Sequence, residues 1–197
     1  MTSRASWPIY AVALGLAALA VTCALLLGDT PAMRALLGAR YTARVAFIVF
    51  TAVFIIGPAA RLSSNPSVRW LARRRRHLGL ATALLLSIHL AALLINIGLY
   101  QPRHWTALIG GGIVYLLLVA MALTSSGAAQ RRMGRWWRRV HLLGLSGLWL
   151  AFFSGYAGRL FKPDYFLTGA IFAPIALAIL LIRLYVLIPR RITAPAR

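Results

Sequence analysis

The chain has 197 residues, 61% of them hydrophobic and only 12% charged, yet its formal net charge is +20. A soluble domain has roughly a quarter of its residues charged, so this composition, with a mean hydropathy of +0.79, specifies a polytopic membrane protein. A pI near 12.0 does not indicate nucleic-acid binding, because the arginines stand between long apolar runs and not on one soluble face.

Runs able to cross about 30 Å of hydrocarbon at about 1.5 Å per residue fall at approximately 8–27, 43–60, 78–100, 106–124, 141–158 and 165–188. The first is not expected to be a signal peptide: only Arg4 precedes it, it is too long, and no A-x-A site closes it. It carries the single cysteine, Cys23, read as a small buried hydrophobe. One cysteine leaves no disulfide, no CxxC and no CxxCH heme-attachment motif. The second run is the shortest and contains Pro58 near its end. The third follows directly on His77, holds His89 deep inside, and presents Asn96 seven residues later on nearly the same face, placed to hydrogen-bond across helices. The loop QPRHW follows, where His104 reads as a solvated side chain, and GGGIV at 110–114 reads as close helix packing. The fifth run opens at His141, directly after a basic loop. In the sixth, Pro174 is expected to kink the helix and Arg183 to snorkel to the headgroups. The fold class is therefore all-α, a single transmembrane domain over 1–197 built as a six-helix bundle.

Charge sets the expected direction. Arg4, Arg61, Arg69, Arg73 to Arg76, Arg131, Arg132, Arg135, Arg138, Arg139, Arg183, Arg190, Arg191 and Arg197 share one face, sixteen of the 22 basic residues. The other face holds Arg34, Arg40, Arg44, Arg103, Arg159 and Lys162 with both aspartates. The positive-inside rule makes the first face cytoplasmic, with both termini inside and the chain a multi-pass protein of the inner (plasma) membrane. Trp136, Trp137, Trp105 and Tyr100 fit interfacial anchoring, and the arginine clusters need only topology and anionic lipid to explain them.

The carboxylate inventory is Asp29 and Asp164, with no glutamate. Acid–base chemistry by paired carboxylates is thereby excluded, and so is a carboxylate relay inside the spans. Histidines remain. A histidine as deep as His89 is costly in a membrane and faces the bundle interior, where it either hydrogen-bonds a neighbouring helix or ligates heme iron. His77 and His141 both follow arginines at the start of their spans and share a shallow depth. His89 lies twelve residues beyond His77, roughly 18 Å deeper on a straight helix. Its level counterpart on the fifth span is Phe152, Phe153 or Ser154. Depth alone thus offers one His–His pair and one orphan.

The segment RRRRHLGLATALLLSIHL at 73–90 resembles the third helix of ferric reductase-like transmembrane proteins. LTSSGAAQRRMGRWWRRVHLLGL at 123–145 and GPAARL at 57–62 are similar to the same family, and nearest to its MsrQ-type heme subunits of periplasmic methionine sulfoxide reductase systems. The resemblance implies a six-helix bundle holding heme b and passing electrons from the cytoplasmic to the outer side. By it His89 matches the helix-three ligand and His141 the first helix-five ligand, both as axial ligands of heme iron, while Ser154 stands where the family has its second helix-five histidine. His77 is not a family ligand but is level with His141. Four arrangements stay open: one heme on His141 with His77 or a non-histidine ligand, one heme between His89 and His141, two hemes with an unusual ligand, or none.

The functional expectation is an electron-transfer subunit of an oxidoreductase system, not a complete enzyme. No GxGxxG opens a strand–helix unit, and only PRRITAPAR follows the last span, so electrons are expected from membrane quinol or a separate cytoplasmic flavin reductase. FMN or a quinone is then a further candidate cofactor, and the resemblance implies an outer-face reductase subunit as recipient. The rival class is a heme-free six-helix protein, a small transporter or an assembly or scaffold subunit that kept the bundle and lost a ligand.

Overall fold

The computed structural model of the chain describes residues 6–187. Arg4, Arg190, Arg191 and Arg197, assigned above by charge, lie outside the described residues. The helices are α1 (Trp7–Leu27), α2 (Pro31–Leu62), α3 (Pro66–Arg73), α4 (Arg75–Leu99), α5 (Thr106–Leu123), α6 (Gly127–Met133), α7 (Arg135–Ala157) and α8 (Phe166–Leu187). Two 3₁₀ turns, Gly158–Phe161 and Pro163–Tyr165, join α7 to α8, and no strand occurs among the described residues. Six helices, α1, α2, α4, α5, α7 and α8, are long and apolar enough to cross a membrane.

Three helices start well before their apolar runs. The second is the longest at 32 residues, not the shortest, and begins at Pro31 instead of 43. The Thr30 hydroxyl accepts the Met33 N–H at 3.2 Å and Pro31 occupies the first helical position, a strong local start signal. Arg34, Arg40 and Arg44 interrupt the apolar pattern there, but arginine is a good helix former. The fifth span begins at Arg135, not 141, because Gly134 turns the chain at φ 52° between α6 and α7, a region glycine enters without steric cost. His141 therefore sits in the second turn of α7. The third begins at Arg75 instead of 78. The connections read as loops contain α3 and α6, capped by the Asn65 and Ser126 side chains.

Helix α2 is the hub. It packs most extensively on α4 and also against α1 and α8. Ala46, Phe47, Phe50 and Phe54 of α2 meet Ala81 and Leu85 of α4, Leu148 and Tyr156 of α7 and Ala176 of α8 in one core. Helix α5 is peripheral, lying mainly along α7. At Gly110, Gly111 and Gly112 an added Cβ would meet nothing within 4 Å, so the expected close packing is not made among the described residues. Close approach occurs elsewhere: a Cβ on Gly144 would run into the Met121 side chain of α5, and one on Gly169 would stand 2.8 Å from the Leu160 nitrogen.

Two other expectations are corrected. Arg183 does not snorkel outward but turns inward, donating to the Phe54 carbonyl at 3.2 Å. Asn96 is 1% exposed and its Oδ1 has no hydrogen-bond partner among the described residues, so the cross-helix bond expected of it does not involve that oxygen. Trp105 and Trp136 are exposed as interfacial anchors should be, whereas Trp137 is half-buried.

Candidate functional site

A cavity of about 740 Å³ opens among α2, α4, α5, α7 and α8, within the ordinary size of a small-molecule or cofactor site. Phe50, Phe54, Leu118, Leu145 and Leu148 give it apolar walls, and Arg61, Arg75, Arg76, Arg138 and Arg183 supply five guanidinium groups. Gly57 and Gly79 also line it, and an added Cβ at either would meet nothing within 4 Å. Among the described lining residues His141 is the one histidine.

Position and tautomer of His141 are set by its own helix. Trp137, one turn earlier, stacks on the imidazole at 4.0 Å between ring centroids and 27° between planes. The Trp137 indole N–H donates to the Thr124 carbonyl at the end of α5, 2.8 Å away, so the stacking partner is itself tied to a second helix. His141 Nδ1 lies 3.0 Å from the Trp137 carbonyl. A carbonyl only accepts, so Nδ1 carries a hydrogen, and the Met121 backbone of α5 is a second hydrogen-bond partner of the ring. This backbone anchoring is how ligating imidazoles are oriented.

His89 shows the same arrangement against another helix. The Thr42 hydroxyl donates its one hydrogen to the Gly38 carbonyl at 2.6 Å, and therefore accepts from His89 Nδ1 at 3.3 Å. The Ala39 backbone of α2 is a further hydrogen-bond partner of the His89 imidazole, and His89 does not line the cavity. His77 turns toward α1, where its Nδ1 shares a 3.1 Å hydrogen bond with the Tyr10 hydroxyl, and it does not line the cavity either. The structure thus sets the three histidines against three different partners, and only His141 faces the large space. His104 is exposed in the loop before α5, with Nδ1 2.9 Å from the Thr106 hydroxyl.

Farther along α7, aromatic side chains pack together. Phe47 packs edge-on against Phe152 and Tyr156, each at 5.1 Å, and against Phe172 at 5.7 Å. Ser154, between Phe152 and Tyr156 in sequence, is exposed and donates to the Ala151 carbonyl of its own helix at 3.3 Å. Ser154 therefore does not reach the interior.

No group of three or more His, Cys, Asp or Glu side chains able to hold a metal ion occurs among the described residues. A flat apolar macrocycle with acidic substituents, offering one open axial position, fits this lining: hydrophobic walls, arginines and one oriented imidazole. Sequence reasoning missed the Arg183 contact and the convergence of the arginines on one cavity. A signal existed for Trp137, whose i, i+4 spacing from His141 puts both rings on one helix face.

No family model matches the chain, and no solved structure is significantly similar to it. It is 34% identical over 166 residues to the protein-methionine-sulfoxide reductase heme-binding subunit MsrQ of Yersinia pseudotuberculosis serotype O:1b (strain IP 31758), covering 76% of this chain and 75% of that protein. The same identity over 166 residues holds for MsrQ of Yersinia pestis (strain Pestoides F), covering 76% of this chain and 74% of that one.

Proposed function

The chain belongs to the MsrQ family of heme-binding subunits, and from that premise we propose that it is a membrane-embedded electron-transfer subunit binding one heme b in the cavity, with His141 as axial ligand. The observation that carries this reading is the oriented imidazole of His141 in a cavity bearing five arginines. Bound heme supplies a one-electron iron couple that the side chains of this protein lack.

The residues of the chain do the rest. The Trp137 carbonyl holds the Nδ1 hydrogen of His141, so that Nε2 would be the nitrogen offered to iron, while the Trp137 ring fixes the imidazole plane. Arg61, Arg75, Arg76, Arg138 and Arg183 offset the carboxylates of the cofactor in a chain almost without acids. Phe50, Phe54 and Leu148 exclude water from the apolar face. His77, held by Tyr10, and His89, held by Thr42, stand outside this ligand set. The aromatic packing of Phe47, Phe152 and Tyr156 occupies the interior farther along α7 and favours a single heme.

By the positive-inside rule the cavity end faces the cytoplasm, and the membrane is the bacterial inner membrane. Electrons enter there from quinol or a flavoprotein, with FMN or a quinone as the intermediary group. They leave at the opposite end to a partner reductase subunit. The test is the visible spectrum of detergent-purified protein, oxidised and then dithionite-reduced, with heme per chain counted. One b-type heme per chain, lost in His141→Ala and kept in His77→Ala, is expected. Colourless folded protein from heme-replete cells overturns the reading and favours a heme-free scaffold or transporter, whereas a wild-type spectrum in His141→Ala overturns His141 as the ligand.

A further inference from the structure

A second cationic cluster lies at the end of the bundle away from the cavity, and no group described so far uses it. Arg40 of α2 donates to the Tyr165 hydroxyl at 2.8 Å, with its guanidinium 4.5 Å from the Tyr165 ring centroid. One turn further, Arg44 donates to the Thr168 hydroxyl at 3.0 Å. Arg159, in the turn after α7, donates to the Gly155 carbonyl at 2.7 Å and stands 5.4 Å from the centroid of the Tyr156 ring. The charges of Arg40, Arg44 and Arg103 all act on Arg159, so separate elements bring these groups to one place.

Asp164, next to Tyr165 in the second 3₁₀ turn, is the one acid near them in sequence, and it makes no contact with these arginines in the hydrogen bonds above. Each of the three contacts above uses a neutral acceptor, and a guanidinium has five N–H donors. The only acidic side chains in the sequence are Asp29 and Asp164, and no carboxylate acts on Arg159 among the described residues. Like charges held together in a half-buried setting repel strongly without a counter-charge. A second, independent observation points to the same spot. Tyr156 is 4% exposed and its hydroxyl has no hydrogen-bond partner among the described residues, while Arg159 and Arg44 both act on it. A buried hydroxyl without a partner is costly, and a ligand oxygen would satisfy it.

Depth identifies the ligand. Arg40 and Arg44 flank the start of the apolar run of α2, and Arg159 ends the hydrophobic stretch of α7. This is where apolar helices meet the headgroup layer. We propose that Arg40, Arg44 and Arg159, with the Tyr156 hydroxyl, bind a phosphate group, that of an anionic phospholipid headgroup. Arginine forks suit phosphate oxygens through paired N–H donors.

The experiment uses the full chain, purified with its cofactor and delipidated in mild detergent. Native mass spectrometry with added phosphatidylglycerol or phosphatidylcholine reads lipid retention, and thermal unfolding with inorganic phosphate forms a separate arm. One phosphatidylglycerol per chain is expected to be retained about tenfold more tightly than phosphatidylcholine. Arg44→Gln/Arg159→Gln should abolish that preference, and Arg132→Gln, exposed on α6, should not. Tyr156→Phe leaves the ring packing intact and removes only the hydroxyl, so it serves if the double variant does not fold. It should weaken retention by about threefold to tenfold. Unchanged retention in the double variant, or in Tyr156→Phe when the double variant does not fold, overturns the proposal. Stabilisation by inorganic phosphate without lipid preference overturns the lipid assignment. Loss of heme with lipid retention unchanged shows that the arginines serve porphyrin carboxylates and overturns it as well.

Discussion

Arg183 of α8 donates to the carbonyl of Phe54 in α2 at 3.2 Å, with its guanidinium 4.5 Å from the Phe54 ring centroid. The bond exists because of Pro58. Proline has no N–H, so the carbonyl four residues earlier, that of Phe54, loses its intrahelical donor. Arg183 reaches across from another helix to satisfy it, which is how membrane proteins tolerate proline inside spans.

This relationship predicts a coupled pair. Arg183→Leu leaves the carbonyl unsatisfied and should lower stability by about 1–3 kcal/mol. In a Pro58→Ala background the helix supplies its own N–H, so Arg183→Leu should cost much less. Thermal unfolding in detergent of the single and double variants checks this. Additive effects would show that Arg183 acts only through the cavity.

His89 and Thr42 make a second pair with a distinct outcome. Thr42→Val removes one hydrogen-bond partner of the His89 imidazole and should cost about 1 kcal/mol. His89→Ala should cost a similar amount, and the double variant should be less destabilised than the sum. Heme per chain should be unchanged in all three, since His89 does not line the cavity. Loss of heme in His89→Ala would instead make His89 a ligand.

The six apolar runs announced the six long helices because hydrocarbon thickness dictates length whatever the packing. The start of α2 was illegible to hydropathy, since Arg34, Arg40 and Arg44 mask a helix that the Thr30 cap initiates locally. Counting residues from the arginines set His77 and His141 level, but depth says nothing about direction around the helix axis. The structure turns His77 to Tyr10 on α1 and His141 to the cavity. The arginines read as topology alone include five that meet in one lining, a convergence that only tertiary packing creates.

Glycines of equal standing in the sequence differ sharply in the fold. A Cβ on Gly169 would lie 2.8 Å from the Leu160 nitrogen and 3.0 Å from the Tyr156 carbonyl oxygen. Both are backbone atoms, which cannot step aside as a flexible side chain can. Gly169→Ala should therefore destabilise by about 1–3 kcal/mol and disturb the turn that carries Arg159. Gly110→Ala meets open space and should be neutral or stabilising by up to about 1 kcal/mol through helix propensity. Unfolding midpoints of the two variants side by side decide the matter.

The cavity can be tested apart from its histidine. Gly79 lines it, and an added Cβ there meets nothing within 4 Å. Gly79→Phe should place an apolar ring into that space without displacing backbone, and the gain in buried apolar surface should keep the folded protein at least as stable. The same ring takes volume that a macrocycle needs, so heme per chain should fall well below wild type although His141, Trp137 and the arginines are untouched. Gly79→Ala adds one methyl group and should leave heme content near the wild-type value. Both variants are read by heme-to-protein ratio and by the unfolding midpoint of the heme-free form. Full heme loading in Gly79→Phe would place the cofactor elsewhere in the bundle. Reduced loading with intact stability ties it to the cavity of His141, because a ligand set alone does not respond to space across from it.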